Sequence, residues 1–226
     1  METTLNHNNI YERFKQLQSH FESVIKGYHM INKSPIKESV WEEVNCDIVS
    51  NVCSVTDEAK GNHMSGKDNR FDEFNISNKT GKESGEKISI SSYRLTSVCS
   101  DKSPGNEKEI INEIKKRDES FDYYSFLIRN EDNISKIKYE WYVIPKTHNI
   151  FKIDKLNFMY GKKGKKKGEI IGWESTFCDI TFSMSSQLWY KFEKKHILDY
   201  KMCEVEIDNS KPKLNYSIIY NSLNHI

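Results

Sequence analysis

The sequence predicts an α/β domain in which a mixed central sheet is flanked by helices. The first third of the chain carries apolar residues at helical spacing, and the second half alternates apolar and polar residues as strands do. With 226 residues and 12% aromatic residues, the chain is long and apolar enough to bury one core. We find no internal repeat and no linker. We therefore expect one domain over residues 1–226, with a helical part at 1–57, a sheet core at about 60–100 and a strand-rich part at 120–226.

Three helices are predicted in the first half of the chain. The first has one apolar face, formed by Ile10, Phe14, Leu17, Phe21, Val24 and Ile25. The second is expected to begin at Ser34 and Pro35, because a capping hydroxyl precedes a proline at the first helical position. Glu43 lies on the flank of this second helix. The third helix follows Asn106, a good capping residue.

Strands are predicted for most of the remaining chain. FNISNK and KISISSYRL alternate with period two and form a hairpin, and DYYSFLIRN and KIKYEWYVIP are expected to be adjacent strands. IFKIDKLNFMYG and EIIGWES add two more. The segment CDITFSMSSQLWYKFEKKHIL is interpreted as a strand followed by a helix that starts at Ser185 or Ser186, with Trp189 and Phe192 packed in the core.

Composition limits the class of protein. A net charge of +1 excludes a uniformly basic surface for nucleic acid but leaves room for a local basic patch. Five cysteines without a C-x-x-C motif argue against a disulfide scaffold or a zinc ribbon and favour a reducing, cytoplasmic compartment. No apolar run reaches the length of a membrane span, so we expect no membrane contact.

The candidate chemistry lies around the first hairpin. Ser77 and Lys79 share one face of a strand because they are two residues apart, and Asp68 precedes that strand. A carboxylate that holds Mg²⁺ and an ammonium that stabilises charge on a phosphate together suit phosphodiester hydrolysis. Mg²⁺ needs more than one carboxylate, and four residues are candidates for the second: Glu42, Glu43, Asp72 and Glu73.

These residues resemble the PD-(D/E)xK nuclease core of type II restriction endonucleases. Asp68 stands for the first metal-binding aspartate and Lys79 for the motif lysine, and a Ser-rich strand ending in Tyr-Arg-Leu follows. Lys67 replaces the proline of the motif, and Ser77 replaces its second acid. Some restriction enzymes take that acid from a helix, and Glu43 is our choice for it here. FSMSSQLWYKF is similar to a late element of some members.

The resemblance implies a restriction-endonuclease-like core that cleaves double-stranded DNA with Mg²⁺. It implies a short palindromic site and a homodimer in which each subunit cuts one strand. Asp68 and Glu43 would hold the metal, Lys79 would orient the attacking water, and Ser77 would donate a supporting hydrogen bond. His63 is a further candidate for contact with the phosphate or a water.

DNA contacts are predicted at two places. The turn GKKGKKKG concentrates five lysines that suit a phosphate backbone: Lys162, Lys163, Lys165, Lys166 and Lys167. Side chains that suit bases or phosphates are Arg94, Ser185, Ser186 and Gln187.

Two other functions fit the same residues. In a nucleic-acid-binding module without catalysis, Ser77 would mark a lost acid. In a host-interaction or structural protein, Asp68 would be an ordinary turn residue and the lysines would form a solvated hairpin tip. Salt-sensitive binding without metal-dependent cleavage indicates the first alternative, and no binding even at low salt indicates the second.

Overall fold

The computed structural model describes residues 10–57, 68–95, 97–99, 106–131, 133, 135–152, 157–162, 167–182 and 186–223. It shows a mixed α/β fold with one large mixed sheet and helices packed against it, which confirms the predicted fold class. Within these residues no helix is both long enough and apolar enough to cross a membrane.

The sheet has eleven strands in the described part of the chain. They are β1 (Val55–Asp57), β2 (Asn69–Phe71), β3 (Phe74–Ser84), β4 (Lys87–Arg94), β5 (Tyr123–Asn130), β6 (Lys136–Pro145), β7 (Asn157–Tyr160), β8 (Ile170–Glu174), β9 (Cys178–Phe182), β10 (Gln187–Glu193) and β11 (Lys201–Asp208). The order is β11-β6-β5-β3-β4-β10-β9-β8-β7, and β2 joins β1 to β3 at the side. Among the strand pairs of the described residues, β3 and β5 are parallel and the others are antiparallel.

The two faces of the sheet have separate cores. Residues 10–15, α1 (Gln18–Ile31) and α2 (Glu38–Val49) bury one face, where Trp41 and Trp141 meet with ring centroids 6.0 Å apart. The other face carries α3 (Glu107–Asp118) and a second core that extends from β6 across β5, β4, β10, β9 and β8. A fourth helix, α4 (Tyr216–Leu223), follows β11. The predicted cap of α3 is present, since the Asn106 side chain accepts from the Glu109 N–H at 3.0 Å.

The predicted helix after Ser186 is wrong, because this segment is the strand β10. Leu188, Tyr190 and Phe192 are buried in alternation, while Trp189 and Lys191 are exposed. Period-two burial is the signature of a strand. Phe192 therefore packs in the core as expected, and Trp189 does not. The strand β11 and the helix α4 were not predicted.

Other boundaries shift by a few residues. Helix α2 begins at Glu38 rather than directly after Pro35. The first hairpin turns at Gly85 and Glu86, so β3 continues to Ser84 through the segment TGKES that the sequence interpretation assigned to the turn.

One edge of β3 changes partner along its length. Strand β2 pairs with it up to Ile76, and β4 pairs with it from Gly81 onward. On its other edge β5 pairs continuously from Ile76 to Glu83. We call the gap between β2 and β4, at residues 77–80, the fork. Gly81 lets β4 close in beyond the fork, because a Cβ there would lie 2.7 Å from the Ile90 side chain.

Candidate active site

Asp68 fills the fork. Its backbone N–H donates to the Ile76 carbonyl at 2.8 Å, and its carboxylate oxygen Oδ2 accepts the Asn78 N–H at 2.6 Å. The Ser77 hydroxyl is 3.4 Å from the same oxygen. Buried backbone N–H groups need an acceptor, and at the fork this carboxylate takes the place of a neighbouring strand. The gap in strand pairing thus brings Asp68 to the middle of β3.

Lys79 lies between two carboxylates. Its ammonium group donates to Asp68 Oδ2 at 3.2 Å and to Glu38 Oε1 at 3.0 Å. A third bond, of 2.7 Å, goes to the carbonyl of Asn78. The residue is only 5% exposed, so these oxygens largely replace water around the charge. Glu38 is the first residue of α2, and the helix therefore contributes a carboxylate to the centre of the sheet.

The cluster holds one more negative charge than positive charge at neutral pH. Burial by itself lowers the pKa of Lys79, but Asp68 and Glu38 together raise it above its ordinary value, so the ammonium stays protonated. Burial and the charge of Asp68 raise the pKa of Glu38, although Lys79 opposes this shift. The raised pKa of Lys79 and the raised pKa of Glu38 are consistent with each other, because one lysine neutralises only one of the two acids. The remaining negative charge favours a further cation.

Glu38, and not Glu43, is the carboxylate of α2 that reaches Lys79. Five residues at about 100° each turn Glu43 about 140° away from Glu38, and Glu43 is exposed to solvent. Glu38 instead lies on the same helix face as the buried residues Trp41 and Asn45. Its position three residues before a buried tryptophan is the sequence signal that would have identified it.

The other candidates for the second acid lie elsewhere. Asp72 is in the turn between β2 and β3, where it pairs with Arg13 at 2.8 Å and accepts the Ser54 N–H. Glu73 is exposed in the same turn, and Glu42 is half-buried on α2 with contacts of its own. His63 lies outside the described residues.

A buried amide network holds α2 against the fork. The Asn45 side-chain NH₂ donates to Asn78 Oδ1 at 2.6 Å and to the Ser125 hydroxyl at 2.8 Å, and all three residues are fully buried. Asn78 is the residue between Ser77 and Lys79 in the predicted motif. Because the helix is fixed at this point, Glu38 two turns earlier is held beside Lys79. The sequence interpretation did not identify Asn45 or its role.

The oxygen atoms around Lys79 suit Mg²⁺. Two carboxylates and one backbone carbonyl lie within 3.2 Å of a single ammonium nitrogen, and all three are hard oxygen donors. Within the described residues no group of three or more His, Cys, Asp and Glu side chains forms a complete metal site. Mg²⁺ characteristically uses one or two carboxylates and completes its shell with waters and substrate phosphates. The two carboxylates and the carbonyl at the fork are consistent with a Mg²⁺ site of this kind.

Two predicted DNA contacts are neighbours on the sheet. Arg94 of β4 is opposite Gln187 of β10 in the strand register, and Arg94 Nε donates to Gln187 Oε1 at 3.3 Å. The last pair between β3 and β4 is Gly81 with Ile90, so Arg94 lies on the part of β4 that continues past this pair on the side of the fork. Ser186 is only 8% exposed, and its hydroxyl bonds to the Cys99 carbonyl. Ser185 lies outside the described residues.

The lysine turn joins β7 to β8. Lys162 and Lys167 are described and flank the turn, whereas Lys163, Lys165 and Lys166 lie outside the described residues. Lys162 and Lys167 lie beyond Ile170, the first residue of β8. Following the antiparallel register through β9 and β10 places this end of β8 at the same end of the sheet as Gln187. Lys162 and Lys167 therefore lie at the end of the sheet that also carries Arg94.

No protein-family model, curated protein or solved structure matches this chain. The assignment of function therefore rests on the residues of the chain and on their geometry.

Proposed function

We propose that this protein is a Mg²⁺-dependent endonuclease that cleaves double-stranded DNA, with a restriction-endonuclease-like core formed by β2, β3, β4 and α2. The observation that supports it most strongly is the Lys79 ammonium held between Asp68 and Glu38 at the fork. An acid, a second acid and a lysine on adjoining elements are the groups that metal-assisted phosphodiester hydrolysis requires. Here Glu38 supplies the acid that Ser77 does not.

Each residue of the cluster has a role in this proposal. Asp68 and Glu38 would hold Mg²⁺, and a bound Mg²⁺ would supply Lewis-acid chemistry toward the phosphate and a water. Lys79 stays protonated because two acids surround it, so its ammonium stabilises negative charge on the reacting phosphate and orients the water by hydrogen bonding. The Ser77 hydroxyl and the Asn78 N–H hold Asp68 in place.

The position of the basic residues supports DNA as the substrate. Arg94, Lys162 and Lys167 are at the same end of the sheet, on the side of the fork, and each lysine that neutralises a phosphate adds salt-dependent affinity. We propose a homodimer that cuts a short palindromic site, since two-fold symmetry of the protein matches two-fold symmetry of the DNA.

A nucleic-acid-binding module without catalysis is the second candidate. The observation that favours it is that Asp68 Oδ2 already accepts from Asn78 and Lys79, as a purely structural carboxylate would. This candidate predicts DNA binding that does not lead to cleavage with Mg²⁺.

Two substitutions separate the candidates. Asp68→Ala and Lys79→Ala should each abolish Mg²⁺-dependent cleavage of duplex DNA while gel-shift affinity in EDTA changes less than about tenfold. Lys195→Ala, which removes an exposed lysine far from the fork, is the control and should cleave normally. Normal cleavage by Lys79→Ala would show that the site is elsewhere, and binding without cleavage by the unchanged protein would favour the second candidate.

A further inference from the structure

One face of the sheet is covered by helices over only part of its width. Helices α1 and α2 pack on the face formed by β11, β6, β5 and the first half of β3. Beyond the fork, on β4, β10 and β9, the same face has no helix from the described residues, and outward side chains such as Thr181 and Lys191 are exposed. The candidate active site lies at the border, where Glu38 at the start of α2 meets Lys79.

Trp189 lies on this uncovered face. Its side chain points away from the second core, which contains its neighbours Leu188 and Tyr190, and the residue is 38% exposed. The other three tryptophans of the chain, Trp41, Trp141 and Trp173, are fully buried. A partly exposed indole has a large apolar ring and an N–H donor, and such side chains are enriched at contact surfaces.

The strand register places Trp189 on the sheet face of Thr80 and α2, whereas the Lys79 side chain leaves β3 on the opposite face and reaches Glu38 with its ammonium group. Trp189 is opposite Ser91 of β4, and the pairing of Gly81 with Ile90 brings Ser91 level with Thr80, the residue after Lys79. Two strand spacings separate β10 from β3, which is about 10 Å. This distance corresponds to about three nucleotides along one DNA strand at about 3.4 Å each.

Charge on the uncovered face is graded along the strands. The described carboxylates of β8, β9 and β10 lie at the end far from the fork: Glu174, Asp179 and Glu193. Two lysines at that end, Lys87 and Lys191, neutralise part of their charge. Arg94 and Gln187 lie at the fork end, on either side of the boundary between β4 and β10. A polyanion that reaches the active site would pass the basic and amide end of this face and avoid the acidic end.

We propose that the face carrying Trp189 is the contact surface for the DNA next to the cleaved phosphate. The indole packs against the base and sugar of a nucleotide about three steps from the cut, and Arg94 contacts the backbone between them. Aromatic stacking of this kind is sequence-tolerant, whereas Gln187 beside it has the donor and acceptor needed to recognise a base. The proposal rests on the proposed function, because it assumes that DNA reaches Lys79.

Because the other three tryptophans are buried, fluorescence quenching of the unchanged protein reports on Trp189. In EDTA, acrylamide should quench chiefly the fluorescence of Trp189, because it is the exposed tryptophan. Saturating duplex DNA should lower the quenching constant at least twofold. Trp189→Ala should weaken duplex binding by about five- to 100-fold, the range measured for loss of one base–aromatic stack. Tyr216→Ala is the matched control, since it removes an exposed aromatic from α4 and should bind as the unchanged protein does.

The outcomes distinguish this inference from the proposed function. Suppose that DNA is bound and cleaved, that Trp189 stays equally accessible to acrylamide, and that Trp189→Ala binds normally. The proposed contact surface would then be wrong, and the proposed endonuclease function would be unaffected. Trp189→Phe provides a second check, because it preserves an aromatic ring on the strand and should keep most of the affinity. If the unchanged protein neither binds nor cleaves DNA at low salt, both proposals fail.

Discussion

Replacing Glu38 by glutamine distinguishes a metal ligand from a structural ion-pair partner. Burial and Asp68 raise the pKa of Glu38 in spite of Lys79, so the ionised carboxylate is less favourable in the folded protein than in the unfolded chain. Above the folded pKa, the charge of Glu38 therefore lowers stability. Glutamine keeps the shape and one acceptor oxygen but removes that charge. We expect Glu38→Gln to lose cleavage without losing stability.

The size of the stability change is small and has a defined sign. One pKa unit corresponds to about 1.4 kcal/mol, and water reaches 35% of the Glu38 side chain and screens its charge. We therefore expect the free energy of unfolding to rise slightly at pH 8, in the direction set by the raised pKa. The gain should vanish below about pH 4, where Glu38 is protonated in both states. A structural partner would behave differently, since removing one member of a buried pair costs about 3–5 kcal/mol.

The assay combines urea unfolding at pH 8 and pH 4 with single-turnover cleavage over a range of Mg²⁺ concentrations. For Glu38→Gln we expect a cleavage rate at least about 100-fold lower at equal Mg²⁺, because loss of even an indirect partner of a metal costs 10- to 100-fold. Glu43→Gln is the matched control on the same helix, and both measurements should stay unchanged. The reasoning is refuted if Glu38→Gln cleaves normally, or if Glu43→Gln loses cleavage in its place.

Three further substitutions test the surroundings of the site and of a second buried ion cluster. Lys79→Met leaves Asp68 and Glu38 without their cation, so it should lower stability by about 3–5 kcal/mol at pH 8 and much less at pH 4 in urea unfolding; a loss independent of pH would contradict this. Asn45→Ala removes two buried hydrogen bonds and should cost about 2–4 kcal/mol, measured in the same way. Burial raises the pKa of Glu140, but Lys194 and other partners hold this pKa below its ordinary value. The ion pair between Glu140 and Lys194 therefore stabilises the fold above about pH 4.3, and this stabilisation is lost as the pH falls through the folded pKa of Glu140. Lys194→Met should therefore be clearly destabilising at pH 7 and nearly neutral at pH 3, and equal losses at both would argue against the pairing.

Much of the fold could be predicted from periodicity, and the errors have physical causes. The alternation in β5 and β6 and the cap of α3 are local signals, and the structure follows them. The segment around Trp189 was interpreted as a helix because serines precede it, although burial of Leu188, Tyr190 and Phe192 has period two. The fork could not be predicted, since it depends on where two distant strands, β2 and β4, pair with β3.

The candidate site was predicted only in its local part. Asp68, Ser77 and Lys79 lie within twelve residues, so the spacing was enough to suggest that they meet. Glu38 is 41 residues before Lys79, and its proximity depends on the rotation of α2 about its axis. That rotation is fixed by Trp41 and Asn45, which the helix buries against the sheet. Residue type alone could not distinguish Glu38 from Glu42 or Glu43.

Cleavage of a long phage DNA tests the central claim most directly. The purified protein is incubated with the DNA in Mg²⁺ or in EDTA, and the products are separated on a gel beside those of Lys79→Ala. We predict discrete fragments from the unchanged protein in Mg²⁺ alone and intact DNA from the variant. Intact DNA under every condition, or the same fragments from Lys79→Ala, would contradict a metal-dependent endonuclease built on the fork.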